Sequence, residues 1–479
     1  MTSHSQSYLP GPRLFLFVLL VAIISPLPYA GSWNDGSRLA SVEALVDYHT
    51  WSIDHSIFVK TPGVVIPRGE SPYPADDRDL VEKGAMDKMY IQGHYYSDKS
   101  PVPSLAMAAV YKGLELITGI KAADSPALFC YLLTLFFSGV AYVISVCCIK
   151  AMFLALDLNY LPRLLLPYSF ALATVALPYT RHVNNHILLL AVFSAAMLVA
   201  VQYTQTSADS LLSWHIPILG TLAGIGYTID LGAGPIFVLS IAGFLGFQSR
   251  SAKAVIIMLA AAFPWFLLHH ALNYMIGGTF KPANSVAEYF LWPGSPFNAQ
   301  NLTGGWAHKN IWNFLRYALA MLFMKKGFIC HNPALFACIP GIYILLRNKE
   351  TKTALVYSSV ALISGTWLIY AATSINYSGL CCSIRWFVPL LAPFYYLLAM
   401  FLKKRPDYIG DVLILTAWGI LLGILMWIKG PWIKHMVPLY WFIEAATLVS
   451  WLMYRLRRVH LKDTSVPFCC DHGECGKRD

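Results

Sequence analysis

Long apolar stretches follow one another along most of this chain of 479 residues. A transmembrane helix needs about 20 apolar residues, and lipid admits only helices or closed barrels as spanning structures. After a first apolar run that ends near Ala30, candidate spans lie at approximately 126–149, 161–179, 185–203, 213–229, 231–248, 254–273, 328–346, 353–373, 385–402, 410–428 and 438–455. The pattern therefore predicts an all-α polytopic membrane protein with about 12 transmembrane helices.

One long polar segment, residues 31–124, interrupts this pattern. Apolar residues recur in it at helical spacing at Leu39, Val42, Leu45 and Val46. They predict an amphipathic helix over 38–48 that lies on the membrane surface. A weaker helical pattern covers 76–89, and the moderately apolar stretch 104–117 is typical of an interfacial helix.

The chain therefore divides into four predicted parts. These are a first transmembrane helix (1–30), an extracytoplasmic loop with amphipathic and interfacial helices (31–124), a polytopic transmembrane body (125–455), and a basic, Cys-rich cytoplasmic tail (456–479).

The composition agrees with a membrane protein and excludes an ordinary soluble one. Hydrophobic residues make up 57% of the chain and charged residues 13%, and the mean hydropathy is +0.54. The net charge of +10 would suggest a nucleic-acid partner in a soluble protein. No basic stripe with interleaved aromatic residues is present, however, so we predict no nucleic-acid binding.

The distribution of charge predicts an orientation in the membrane. With the N-terminus inside, the inner junctions carry the strong basic clusters at Lys150 and Arg163, Arg250 and Lys253, Arg347 to Lys352, Lys403 to Arg405, and Arg455 to Arg458. Residues 31–103 hold seven Lys and Arg against eleven Asp and Glu. By the positive-inside rule we expect a cytoplasmic (inner) membrane protein whose first loop and active site face the extracytoplasmic side.

Asp35 is the first candidate for chemistry, because it follows the first apolar run immediately, in the turn signal Asn34-Asp35-Gly36. One interpretation is a turn residue or a helix cap, for which Asp is favoured. The other is a general base: a carboxylate beside a low-dielectric cavity can take a proton from an acceptor hydroxyl. The sequence leaves both open.

Asp98, Lys99 and Arg385 lie at predicted outer membrane boundaries. Lys99 could act as a point charge on a phosphate, and the planar guanidinium of Arg385 could clamp the same phosphate with two donors. A solvated turn and a snorkelling interface anchor are the structural alternatives. Further polar residues could line the same pocket, namely Asn34, Arg38, Tyr96, Asp98, Arg181, Asn185 and His186. His182 belongs to the same outer polar cluster as the last three, and Asp230 is a carboxylate between two short apolar stretches.

Four stretches together resemble the GT-C membrane glycosyltransferases, in particular bacterial relatives of the dolichyl-phosphate-mannose protein mannosyltransferases and of the lipid A aminoarabinose transferase. Trp33 to Arg38, leading into Glu43 to Val46, resembles the acidic motif after the first helix. Gly93 to Pro101 resembles the Tyr-x-Asp-Lys-Pro-Pro segment. Lys326 to Pro333 and Gly379 to Arg385 resemble the later Arg-Gly-Leu-Phe and Gly-rich loops.

The resemblance implies a GT-C-like fold and an inverting sugar transfer. The donor would be a polyprenyl-phosphate-linked sugar held in membrane lipid, and the acceptor an extracytoplasmic glycan, lipid or protein. The resemblance places the catalytic carboxylate at Asp35 and the donor-phosphate contacts at Lys99 and Arg385. The family's acidic pair is reduced here to Asn34-Asp35, which keeps one carboxylate.

Two other functions stay open at this stage: a transporter or flippase of a lipid-linked glycan, and a catalytically inactive scaffold with the same fold. A transporter favours inverted repeats and charged groups at the membrane midplane, of which the sequence offers only Asp230. We predict no metal-ligating residues and no certain cofactor, although a divalent cation (Mg or Mn) remains possible.

Overall fold

The protein is mostly helical in the computed structural model, which describes residues 12–64, 70–206, 213–298, 304–348 and 353–464. The N-terminal part contains α1 (Pro12–Ile24), α2 (Trp33–Asp47), α3 (Arg78–Lys83), strands β1 (Lys88–Ile91) and β2 (His94–Ser97), and α4 (Pro101–Thr118). The remaining helices are α5 (Pro126–Thr134), α6 (Val140–Ala155), α7 (Tyr160–Leu172), α8 (Asn185–Gln205), α9 (His215–Ile229), α10 (Gly234–Ser249), α11 (Ala252–Gly277), α12 (Ile311–Phe323), α13 (Cys338–Arg347), α14 (Ala354–Thr373), α15 (Leu391–Lys404), α16 (Ile409–Lys429) and α17 (Tyr440–Thr464).

Within these described ranges, six helical segments are long and apolar enough to cross a membrane. They are Pro126–Ala155, Asn185–Gln205, Ala252–Gly277, Ala354–Thr373, Arg385–Lys404 and Pro406–Lys429. These segments make the chain an integral membrane protein. A helix also occupies each of the other predicted spans, but those helices do not meet the same criteria of length and composition, so the count of about 12 spans stays a prediction.

The transmembrane body is built around α8 and α9. Helix α8 packs against α6, α9 and the turn at Arg385–Leu390, while α9 also packs against α10 and α11. Close approach between α9 and α11 depends on Gly224, because a Cβ there would lie 2.8 Å from the Ala262 carbonyl oxygen. The largest buried cluster of apolar side chains fills this body.

Helix α2 is longer and more buried than the predicted surface helix over 38–48. It begins at Trp33, and twelve of its fifteen residues are buried. The apolar positions Leu39, Val42 and Val46 form a second core with α4 and α5, through residues such as Met107 and Phe129. The polar positions face other protein groups instead of solvent.

The helix predicted over 76–89 is shorter in the structure, where α3 ends at Lys83, and a two-stranded antiparallel hairpin begins at Lys88, so the chain is not all-α. Strand β1 pairs with β2 in the register Met89 to Tyr96. Gln92 and Gly93 form the two-residue turn with φ of 51° and 93°. Two positive φ values suit the right-handed twist of a hairpin, which explains why the chain reverses here.

The connectivity places the candidate chemistry at one end of the transmembrane body. The start of α8, the end of α9, the end of α14 and the Arg385–Leu390 turn all lie at this end, close to the start of α2. The loops that carry the basic clusters join helices at the opposite end. The predicted tail is outside the described residues from position 465 onward.

Candidate active site

Helix α2 begins at the site with a side-chain cap. The Ser32 hydroxyl accepts hydrogen bonds from the backbone N–H groups of Asn34 (3.1 Å) and Asp35 (3.4 Å). Ser32 is therefore the N-cap, and Asp35 lies in the first turn, where a negative charge is favoured by the helix dipole. The polar residues of this turn and the next are buried, namely Asn34, Asp35, Ser37 and Arg38.

The Asp35 carboxylate is buried, and protein groups occupy both of its oxygens. Oδ1 accepts a hydrogen bond from the Ser32 hydroxyl (2.5 Å), and Oδ2 accepts one from the Gly31 N–H (2.7 Å). The Nδ1 atom of His182 also lies 3.1 Å from Oδ2. Only 1% of the Asp35 side chain is exposed. The carboxylate is thus a fixed negative charge inside the protein.

Arg38, three residues further along the same helix, is a buried cation with unused donors. Its Nε and Nη1 atoms are buried and have no hydrogen-bond partner among the described residues. Burial lowers the pKa of Arg38 to about 10, offset in part by Asp98 and reinforced by Arg385. A buried donor without a partner typically costs about 1–3 kcal/mol, and more when it is charged. The arrangement suits a bound anion.

Arg385 is far from Arg38 in the sequence, but its guanidinium lies in the same region. Its guanidinium lies over the indole of Trp432, with 5.8 Å from Cζ to the ring centroid. Its Nε is buried and unpartnered within the described part of the chain. The backbone N–H of Arg385 donates a hydrogen bond to the Ser378 hydroxyl (3.1 Å). This bond fixes the turn that carries Arg385.

Lys99 is held by two carboxylates. Its Nζ lies 2.7 Å from Asp87 Oδ2 and 2.9 Å from Asp98 Oδ2, and 9% of its side chain is exposed. Burial raises the pKa of Asp98, opposed mainly by Lys99. Lys99 also lines two small clefts, one with His269 and Asn273 and the other with Tyr96 and Ser104. Its positive charge is therefore largely balanced before any ligand binds.

Asp230 organises the opposite side of the site. It accepts hydrogen bonds from the Gly232 and Ala233 N–H groups at the start of α10 (2.8 and 3.1 Å). It also accepts bonds from the Tyr370 hydroxyl (2.7 Å) and the Asn185 amide (3.1 Å). A further neighbour, His186 Nδ1, lies 4.0 Å from its Oδ2. Asp230 both caps a helix and joins α8, α10 and α14 next to the arginines.

The remaining candidates from the sequence take different places. Asn34 is buried, and its Oδ1 lacks a partner among the described residues. Tyr96 lies in β2 against the small core around Met89. Arg181 donates to the carbonyl oxygens of Trp427 (2.5 Å) and Ile428 (3.3 Å) at the end of α16. That bond pattern makes Arg181 a cap of α16, whereas its neighbour His182 contacts Asp35.

Three residues that the sequence did not single out as site residues contribute here: Asp87, Tyr370 and Trp432. Asp87 lies in the weak helical pattern over 76–89 and Tyr370 in a predicted span, but neither pattern marks a site residue, and Trp432 lies between two predicted spans. His182 was visible only as one member of a polar cluster.

The arrangement can therefore bind an anion next to a fixed carboxylate. Arg38, Lys99 and Arg385 bring three positive charges to one region, and two of them keep unused N–H donors. In the described ranges, no cluster of three or more His, Cys, Asp or Glu side chains is placed to hold a metal ion.

The chain is similar in backbone structure to three solved protein structures. Two crystal structures of ArnT from Cupriavidus metallidurans, one bound to undecaprenyl phosphate and one in the apo state, are 11% identical to the chain. Both cover 92% of it, and the chain covers 75% and 74% of them, with TM-scores of 0.47 and 0.49. The crystal structure of the Archaeoglobus fulgidus oligosaccharyltransferase in the apo form is 9% identical, with a TM-score of 0.45 over 91% of this chain and 54% of its own.

ArnT and the oligosaccharyltransferase are both members of the GT-C superfamily, which the sequence motifs resemble. No protein-family model and no curated protein matches the chain. Since all the TM-scores are below 0.5, the case for a function depends on the site itself.

Proposed function

We propose that this protein is a membrane glycosyltransferase that moves a sugar from a polyprenyl-phosphate donor to an extracytoplasmic acceptor. One observation carries the proposal. Arg38 and Arg385 converge with buried, unpartnered N–H donors, and the buried carboxylate of Asp35 lies one helical turn from Arg38.

The arginines supply what a phosphate leaving group needs. As the bond between the sugar and the phosphate breaks, negative charge grows on the phosphate oxygens. Preorganised, charge-assisted donors in a site without water stabilise that charge strongly. In this proposal Arg38 and Arg385 contact the phosphate, and Lys99, balanced by Asp87 and Asp98, adds to the positive potential beside it.

The carboxylate supplies what the acceptor needs. An acceptor hydroxyl becomes a better nucleophile as it loses its proton, and Asp35 provides the negative charge that favours this loss. The donor's lipid tail would lie among the apolar helices of the body. The inner membrane and an extracytoplasmic site are part of the same proposal and are supported by the basic clusters at the end opposite the site.

A turnover assay tests this function. Purified protein in lipid is supplied with a panel of polyprenyl-phosphate sugars and acceptors, and release of polyprenyl phosphate is measured. Wild type should release it with at least one donor, and Asp35→Asn should lower the rate by about 10²- to 10⁴-fold, the usual contribution of general-base catalysis. Arg405→Gln, an exposed arginine paired with Asp407 at the other end of the body, is the matched control.

Two results would contradict the proposal. If lipid-linked glycan crosses the bilayer of protein-containing vesicles without transfer, the protein is a flippase. If donor binds and neither transfer nor crossing occurs across the panel, the protein is a binding scaffold.

A further inference from the structure

His182 is the residue that the geometry of Asp35 brings into the reaction. Both Asp35 oxygens already accept hydrogen bonds, from Ser32 and Gly31, and the side chain is 1% exposed. An acceptor hydroxyl has no open path to a carboxylate oxygen in this state. The side-chain group beside Oδ2 that can itself take up a proton is the imidazole of His182, with its Nδ1 3.1 Å away.

The ring of His182 is held in place from several sides. Its backbone carbonyl accepts hydrogen bonds from the Ser138 hydroxyl (2.7 Å) and the Asn184 amide (2.8 Å). The ring packs against Gly31, where a Cβ would lie 2.6 Å from Cε1 and 2.8 Å from Nε2. Glycine at position 31 therefore permits the approach of the imidazole to Asp35.

The same ring is continuous with the anion site. Trp432 lies with its ring centroid 6.5 Å from that of His182, and Arg385 lies over the same indole. The groups run in the order Asp35, His182, Trp432, Arg385.

We propose that His182 is the general base and that Asp35 is a positioning residue acting through it. This inference rests on the proposed function. In the resting structure Nδ1 lies 3.1 Å from Oδ2 but is buried without a hydrogen-bond partner among the described residues. The negative charge of Asp35 favours a proton on Nδ1 and stabilises the imidazolium, which leaves the Nε2 lone pair to accept a proton.

In the proposed step the sugar passes from the phosphate to the acceptor, and one proton leaves the acceptor. The acceptor hydroxyl oxygen forms a bond to the anomeric carbon of the sugar, and the bond from that carbon to the phosphate oxygen breaks. The electron pair of the broken bond stays on the polyprenyl phosphate. The acceptor proton passes to Nε2 of His182 and later to solvent, so no oxidant, reductant or co-reactant is required.

The test compares His182→Gln with two variants. Gln cannot take up a proton. Gly31→Ala keeps both members of the pair and pushes the ring away from Asp35. His94→Gln is the matched control, since the exposed His94 lies with its Nδ1 2.7 Å from Asp54, outside the site. The probe is the polyprenyl-phosphate sugar that wild type turns over.

We expect His182→Gln and Asp35→Asn each to lower kcat by at least about 10²-fold, with KM for the donor within threefold and the double variant no slower than the worse single one. Gly31→Ala should lower kcat without changing donor KM, and His94→Gln should match wild type.

The outcomes separate the two proposals. If His182→Gln turned over the donor within threefold of the wild-type rate, His182 would not be the general base. The proposal that the protein is a transferase would stand. Gly31→Ala with the kcat of wild type would also overturn the general-base role of His182, even if His182→Gln failed to fold. If wild type turned over none of the donors, the proposed transferase function would be overturned. The proposed roles of His182 and Asp35 would fall with it.

Discussion

The guanidinium of Arg385 lies over the indole of Trp432, with 5.8 Å between Cζ and the ring centroid. A cation over an aromatic face is stabilised by about 0.5–2 kcal/mol, depending on how far it is desolvated. The charge of Arg385 also reaches Arg38, whose pKa it lowers further. Trp432 is therefore expected to position the phosphate contact rather than touch the reacting atoms.

Trp432→Leu should weaken donor affinity by about 2- to 30-fold, the range that corresponds to the loss of that contact. Trp432→Phe keeps an aromatic face and should stay within about threefold of wild type. The measurement is donor KM together with the affinity for polyprenyl phosphate. If Leu and Phe behaved alike, the ring would have no role in orienting Arg385.

Lys99→Gln leaves the largely buried carboxylates of Asp87 and Asp98 without their shared cation. Unpaired buried charges are strongly destabilising, so thermal stability should fall, and the additional change Asp87→Asn should restore part of it. If Lys99 also contributes to phosphate binding, turnover stays low in the stabilised double variant. Recovery of turnover together with stability would show that Lys99 serves only the ion pair.

Gly36→Ala should destabilise the protein, because a Cβ at this position would overlap the hydroxyl of Tyr73. That hydroxyl donates a hydrogen bond to the Phe58 carbonyl (2.6 Å), which the overlap would break. We expect a loss of about 1–3 kcal/mol in unfolding free energy.

The matched control is Gly113→Ala in α4, where a Cβ would meet no atom within 4 Å. It should be neutral or stabilising by up to about 1 kcal/mol, because alanine favours a helix. Equal effects of the two substitutions on denaturant unfolding would contradict the packing of α2 described here.

Lys88 should make stability depend on pH in the alkaline range. Burial lowers its pKa from 10.5 to about 8, and its Nζ lies 4.1 Å from the Tyr95 ring centroid. Between about pH 8 and 10.5 the unfolded chain binds the proton that the folded protein has released, so this residue favours folding more as the pH rises. Below pH 8 the proton is bound in both states and the contribution is constant.

The measurement is the unfolding free energy of wild type minus that of Lys88→Met, followed from pH 7 to pH 10.5. The difference should move in favour of wild type by a few kcal/mol. A difference that does not change with pH would mean that Lys88 is not desolvated in the folded state.

The sequence predicts the six long apolar helical segments, because apolar stretches of helical length leave few alternatives in lipid. The hairpin was missed, because each strand has only four residues and its signal is one Gln92-Gly93 turn between Tyr- and Ile-containing segments. Propensity alone cannot identify a strand over so few residues.

The site was predictable only in part. Asp35, Arg38, Lys99 and Arg385 can be found because each is a charged residue at a boundary of an apolar stretch. Their partners cannot. The pairing of Lys99 with Asp87 and the packing of Trp432 against His182 join segments whose proximity depends on the tertiary fold. The sequence thus located the charges, and the structure shows which of them are already neutralised.

The central claim is that Arg38 and Arg385 bind the phosphate of a polyprenyl-phosphate donor, and equilibrium binding tests it most directly. The affinity of purified protein for polyprenyl phosphate is compared with its affinity for the uncharged polyprenol. Wild type should prefer the phosphate, and Arg38→Gln and Arg385→Gln should each weaken phosphate binding by about 10- to 150-fold, since a hydrogen bond to a charged group contributes about 1.5–3 kcal/mol. Polyprenol binding should not change in either variant, and Arg405→Gln should bind both lipids as wild type does. Equal wild-type affinity for the two lipids, or phosphate binding that survives both arginine substitutions, would contradict the account.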